Sequence, residues 1–505
     1  MKKVLSVILC VLLLCTACSA CSENSSEESN PSEETSSPVN SLEDDLTWDV
    51  NPDPLVVCFD ISDDDAFAAE SCRQAIANFH QQLTYYNGHD NLPIRASDVE
   101  LLVIPGGEVE PAERSSMLQK IRTDIMAGKG PDVFVCVSHD RIPQLTFSTS
   151  TTRLFNYPEI TRESGLFLPL DDLLPEFAMT DVDDLYSHVL DGGRNQKGEL
   201  VMIPLNFSVP GIFFPGADTP DCDYKGTSWD DVLQGSDPLL AEQSVWAMNF
   251  LAYDREGVRE GHHRSGLPYL FPELADTETG KLAFSEEELL NTVKASLSAY
   301  RAVTERETTQ KSSSEFFYAQ TLSGGGLEGV SEEEKGLYTL SPLRNLNGGS
   351  TAVVNVYCAV NSQTEKKEQA IALLDALLCK DMQQGGIATL FGMYLGLAGM
   401  PMNREICTPD CPYLEGSSYI QLEQFDLWQE VCEDINVVRF PSPLDMELDS
   451  MMMEIEDTMG VYYNPYNSEL ILRDGRFITG DITDGELREI VSKYYQRMQR
   501  LVDES

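Results

Sequence analysis

The feature that most restricts what this chain can fold into is a series of short, continuously apolar runs, each handed on to a stretch with helical periodicity. Leu55-Val56-Val57-Cys58-Phe59 ends at Asp60, and residues 65–82 then read as a helix. Val99 to Ile104 is a second run, closed by Pro105-Gly106-Gly107. From Glu113 to Ala127, Met117, Leu118, Ile121 and Ile125 recur at three- and four-residue spacing, the mark of one buried helix face. Gly128 stops that helix, and Asp132-Val133-Phe134-Val135-Cys136-Val137 is a third run, apolar on both faces. Runs this short that lack polar alternation are strands covered on both sides, as in a parallel sheet flanked by helices.

The pattern continues down the chain. Leu200 to Phe214 is strand-rich and punctuated by Pro204 and Pro210, with Pro215 just beyond. Thr227 or Ser228 caps a helix start that runs through Trp229 to Leu233. Ser285 opens another helix with Glu286, Glu287 and Glu288 in its first turn, where the dipole favours acid. Ser350 to Val360 is β-like, Glu365 to Cys379 is an amphipathic helix, and Asp484 to Val502 is a last helix. Roughly 450 residues carry these elements, too many for one core and suited to two large α/β lobes.

The first 52 residues are of another kind. Met1-Lys2-Lys3 is a short positive start, Val4 to Leu14 is apolar, and the cluster Cys15-Thr16-Ala17-Cys18-Ser19-Ala20-Cys21 follows. These are the parts of a signal peptide, and the apolar run falls short of the about 20 residues that a helix needs to span a bilayer. Cysteine directly after small residues resembles the bacterial lipobox. That resemblance implies a signal peptide over 1–17 and lipidation of Cys18, with Cys21 as a second register. From 18 to 52 the chain is acidic and rich in Ser and Glu, and no Lys or Arg occurs between Lys3 and Arg73. Such a segment buries too little to fold and reads as an extended, disordered tether.

The chain holds 83 acidic against 35 basic residues, a formal net charge of −48. Phosphate backbones demand the opposite balance, so nucleic acid is excluded as a partner. An electrostatically held membrane protein is disfavoured too, which leaves the N-terminal lipid as the membrane attachment. Of the 13 cysteines, Cys58, Cys136 and Cys358 sit in apolar strand-like runs and read as small buried hydrophobes. Cys407 and Cys411 are open to pairing or to remaining free, and their spacing is not that of a metal site. None of the six histidines has a metal or triad spacing, and neither Gly-x-Ser-x-Gly nor His-Glu-x-x-His occurs. No cofactor or metal is implied, and the chain does not read as an enzyme.

Several motifs resemble one family, the extracellular solute-binding proteins of bacterial ABC importers, in particular the sugar-binding group known as family 1. The longest is Ile121-Arg122-Thr123-Asp124-Ile125-Met126-Ala127-Gly128-Lys129-Gly130-Pro131-Asp132-Val133, a helix ending in Ala-Gly-Lys-Gly-Pro-Asp and entering an apolar strand. In the family's order there follow Phe167 to Leu173, Gly198 to Pro204, Thr227 to Leu233, Asn361-Ser362 with Glu368 to Leu374, and Gly399 to Arg404. The resemblance implies a two-lobed α/β fold of the periplasmic-binding-protein type II, its lobes joined by hinge strands. The expected binding domain is 53–505, with lobe 1 at about 53–204 plus 350–396 and lobe 2 at about 210–345 plus 400–505. It implies a monomer that captures a sugar or another small solute and hands it to the transmembrane permease subunits, on the extracytoplasmic face of the cell membrane. Gly128-Lys129-Gly130 lacks the frame of a phosphate loop, so no nucleotide is expected here.

Ligand residues in such lobes lie where strands end and where segments cross between lobes. That rule selects Asp63 and Asp64 after the first strand, Ser138 and Asp140 after the third, and Asn206 and Phe207 at the first crossing. Trp246, Asn355, Tyr357 and Tyr394 complete the set. Aromatics suit the apolar faces of sugar rings, and Asp and Asn take hydroxyls. Core packing is the competing role for each aromatic, and a solvated loop or helix cap for each acid. Trp229, in a helix start, reads as packing. Two other functions fit an exported chain of this composition: a sensing or scaffold lipoprotein with the same fold, and a glycoside hydrolase whose carboxylate pair sequence alone does not reveal.

Overall fold

The apolar runs become the strands of a mixed sheet. The computed structural model describes residues 54–60, 94, 98–104, 111–137, 153–215, 267–309, 318–322, 338–342, 345–380, 382–383, 400–406, 432–459, 461–463, 476–478 and 481–504. In chain order the elements used below are β1 (Leu55–Asp60), β2 (Val99–Ile104), α1 (Pro111–Met126), β3 (Val133–Val137) and β4 (Ile203–Pro215). Then come α2 (Glu286–Thr309), β5 (Tyr318–Leu322), β6 (Tyr338–Pro342), β7 (Ser350–Val360) and α3 (Lys367–Leu378). The last are β8 (Met400–Pro401), β9 (Ile435–Arg439), α4 (Pro443–Met459) and α5 (Asp484–Asp503). The expected helices at 65–82 and 227–233, the tether, the cysteine cluster around Cys18 and the Cys407–Cys411 pair lie outside the described residues.

The sheet runs β8-β4-β7-β3-β1-β2, with β9 added to β7 and with β5 and β6 added to β4. The strands β1, β2 and β3 are parallel, and so are β7 and β9, whereas β3–β7 and β4–β7 are antiparallel. The wholly apolar runs therefore report burial on both faces rather than a purely parallel sheet. All residues of β1 and of β7 are buried.

The motif at the end of α1 has a legible physical role. Gly128 and Gly130 take positive φ values of 76° and 109°, which turns the chain sharply out of the helix. Asp132 then ties the turn to its neighbours. Its Oδ2 accepts the Val56 amide at 2.9 Å, and its Oδ1 accepts the Thr364 hydroxyl at 2.5 Å. Asn361 donates from its side chain to the Pro131 carbonyl at 2.9 Å. The start of β1, the start of β3 and the approach to α3 are thus locked through one carboxylate.

A second buried carboxylate acts in the same way. Asp375 on α3 is 1% exposed and accepts the backbone amides of Ala178, Met179 and Thr180 at 2.7, 3.0 and 2.8 Å. Both expected helix starts are capped reciprocally. Ser285 and Glu288 exchange bonds at the start of α2, and Thr483 and Glu486 form a capping box at the start of α5.

The cores divide along the sheet. Two clusters cover its faces, one built on Leu55, Val57, Phe207, Val356 and α3, the other on Cys58, Leu118, Phe134, Phe155 and Tyr357. A third is largely helical, joining α2, α4, α5 and the Leu267–Leu270 turn, with Val353 as its one residue from the large sheet. Residues Asp49–Ser505 nevertheless form one compact unit by their contacts.

Candidate functional site

Three strands, β4, β7 and β9, are paired side by side at one level of the sheet. Ser208 of β4 pairs with Val353 of β7, and Val353 pairs with Arg439 of β9. Up to this row β4 pairs with β7; from Val209 it pairs with β5, and from Gly211 with β6 as well. On β7, Val353 belongs to the helical core while Val354 belongs to a sheet core. On the third strand the change falls between Arg439 and Phe440. The Arg439 side chain bonds Asp445 at the start of α4 at 2.7 Å and the carbonyls of Pro268 and Phe271. Phe440 turns the other way, against Tyr357, at 5.4 Å between ring centroids. At the row Ser208–Val353–Arg439 the side chains of Val353 and Arg439 reach the helical core, while Val209 and Ala352 just beyond it still belong to a sheet core.

Next to this row the β4–β7 ladder is irregular, and the irregularity gathers polar groups. The register skips Leu205 on β4 and Asn355 on β7, two compensating bulges of the kind that re-aim side chains. Asn355 Nδ2 donates to Asn206 Oδ1 at 2.7 Å, and the Ser208 hydroxyl lies 3.4 Å from Asn355 Oδ1. Asn206, Ser208 and Asn355 are 6%, 3% and 6% exposed. The skipped Leu205 carbonyl is satisfied by Gln383 Nε2 at 3.2 Å, so the bulge leaves no orphaned acceptor there.

Phe207 and Tyr357, expected as ring-stacking candidates, are packing residues in the structure. Phe207 is fully buried and meets Tyr186 edge-on at 5.3 Å, on the face opposite its neighbours Asn206 and Ser208. Tyr357 is 1% exposed, with its hydroxyl beside the Cys136 thiol. Burial pushes both the Cys136 thiol and the Tyr357 phenol well up, so neither ionises in the neutral range. Asp63, Asp64, Ser138, Asp140, Trp246 and Tyr394 lie outside the described residues.

The structure also holds two charged clusters that the sequence did not single out. Asp60, the last residue of β1, pairs with Arg114 at 2.8 Å and accepts the Leu154 amide at 2.6 Å, fully enclosed. In the second, Glu159 accepts the Phe440 amide at 3.4 Å beside Arg439. Burial raises the Glu159 carboxyl above the usual carboxylate range, partly offset by Arg439 and Arg162. Among the described residues no group of three or more His, Cys, Asp or Glu is placed to hold a metal ion. No described helix is long and apolar enough to cross a membrane.

No family profile and no curated protein matches the chain. Among solved structures it is similar to an extracellular solute-binding protein family 1 from Alicyclobacillus acidocaldarius, at 14% identity and a TM-score of 0.47 over 90% of this chain and 100% of that one. It is also similar to a periplasmic oligogalacturonide binding protein from Yersinia enterocolitica, at 14% identity and a TM-score of 0.44 over 89% and 99%. A cyclic α-maltosyl-1,6-maltose binding protein from Arthrobacter globiformis gives 12% identity and a TM-score of 0.43 over 90% and 100%. Similarity this low fixes no ligand.

Proposed function

We propose that this chain is the extracytoplasmic solute-binding component of an ABC importer, anchored by lipid on Cys18 and carried on the acidic tether. It works as a monomer that takes a sugar or oligosaccharide between two lobes and presents it to the permease, and it binds rather than catalyses. The observation that carries the reading is the polar bulge of Asn206, Ser208 and Asn355 on the β4–β7 ladder, beside the row where Val353 and Arg439 reach from the sheet into the helical core. Paired strands can bend together while each core moves as a body. A ligand touching both sides then favours the closed arrangement. Asn206 and Asn355 beside the row are the described ligand groups, and Asp63, Asp64, Ser138, Asp140, Trp246 and Tyr394 are assigned to the same cleft from their places in the sequence.

A thermal-shift panel of maltose, maltotriose, digalacturonate, other sugars and short peptides tests this. A ligand at about 100 times its dissociation constant adds roughly 2.7 kcal/mol to stability. Sugars are expected to raise the melting temperature. A shift with peptides alone contradicts the carbohydrate assignment. Mass spectrometry of the mature N-terminus tests the anchor: diacylglyceryl on Cys18 is expected, and an unmodified end outside the cluster from Cys15 to Cys21 contradicts it.

A further inference from the structure

We propose that the bulge carries a polarised carboxamide chain in which Asn206 presents a fixed hydrogen-bond donor, so that the ligand is selected by an acceptor oxygen. This rests on the solute-binding reading and narrows its chemistry.

The chain of bonds has one direction. The Ser208 hydroxyl approaches Asn355 Oδ1, and Asn355 Nδ2 donates to Asn206 Oδ1. A carboxamide whose oxygen is already an acceptor must turn its NH2 group the other way. Asn206 Nδ2 therefore points away from Asn355, and among the described residues no group accepts from it. The residue as a whole is 6% exposed, yet its Nδ2 is not among the side-chain atoms sealed from solvent without a partner, so this donor is open to an acceptor that a ligand supplies. Its neighbours fix this polarity. Asn355 stands at a register skip with its oxygen occupied by Ser208, and Phe207 between Asn206 and Ser208 is clamped in the core by Tyr186. Asn206 thus touches the ligand, and Ser208 and Asn355 position it. A sugar hydroxyl, ring oxygen or uronate carboxylate satisfies such a donor, and an ammonium group does not.

Two measurements on the full protein decide the matter. In the first, asparagine-selective 15N NMR of the ligand-free protein compares the side-chain amide protons. Protected Asn355 protons and fast-exchanging Asn206 protons are expected. Asn206 protons as protected as those of Asn355 mean that the chain runs the other way and overturn the proposal. In the second, calorimetry follows the sugar that gives the largest thermal shift. Asn206→Asp keeps the acceptor facing Asn355 but removes the donor, and should weaken binding roughly 10- to 100-fold. Ser208→Ala should weaken it less, and Ser208→Thr, which keeps the hydroxyl, should restore it. Unchanged affinity in a folded Asn206→Asp protein means that the donor holds only water and overturns the proposal. If Asn206→Asp does not fold, the wild-type NMR result decides. If no sugar binds the wild type while the amide pattern is as expected, the donor stands and the carbohydrate assignment falls.

Discussion

Replacing Arg439 by Met should destabilise the protein by about 3–5 kcal/mol, and adding Asp445→Asn should recover a large part of that loss. The two side chains are 2% and 3% exposed and 2.7 Å apart, so their attraction is not screened by solvent. Breaking a buried pair from one side costs about 3–5 kcal/mol, because the remaining charge is left in a low-dielectric site. Asp445 keeps two donors after the change, the Ser442 amide at 2.8 Å and the Ser442 hydroxyl at 3.1 Å. These place the cost near 3 rather than 5. The carbonyls of Pro268 and Phe271 also lose their donor, which adds to it. Asparagine at 445 retains an acceptor for Ser442 but no charge, so the double variant removes the stranded ion while Met fills most of the space. Urea denaturation followed by circular dichroism gives each value from the midpoint and slope. A loss below about 1 kcal/mol for Arg439→Met, or a double variant no more stable than the single, would refute the view of Arg439 as a buried, paired pivot.

Two further outcomes are expected. The Glu159 carboxyl is raised by burial, so between the ordinary glutamate range and its elevated value the folded protein binds more protons than the unfolded chain, and stability falls as pH rises through that window. Glu159→Gln should flatten this part of the stability–pH curve and leave the neutral-pH protein more stable; an unchanged slope in urea titrations across that window contradicts the assignment. Asp375→Ala strands three backbone amides on the 178–180 segment and should cost about 3–5 kcal/mol by denaturation, against under 1 kcal/mol for a loss that solvent repairs.

Much of the fold is legible in the residues because it rests on local pattern. Apolar runs without alternation gave β1 and β3 within a residue, and the helix expected at Glu113–Ala127 spans Pro111–Met126. The prolines near 204–215 suggested interrupted strands, yet β4 is continuous. Pro204 stands beside a bulge, and Pro210 lies past the row where the partner strand changes, a placement proline tolerates because a ladder donor is dispensable there.

The site was half visible. Asn206 and Asn355 were named from the rule that ligand residues lie where segments cross between lobes, and the structure brings the two side chains into contact. Strand alternation alone forbids Asn206 and Phe207 from sharing a face, which the structure enforces by burying the phenylalanine. Ser208, Gln383 and the Arg439–Asp445 pair escaped because their roles come from a register skip and from contacts between segments far apart in sequence. Neither leaves a trace in local composition.

The central claim is that two cores close on a solute about the row Ser208–Val353–Arg439. Small-angle X-ray scattering of the protein, with and without the sugar that most raises its melting temperature, tests it most directly. The account predicts a smaller radius of gyration with ligand and recovery of the larger value when the ligand is dialysed away. A radius that stays the same at saturating ligand would contradict it.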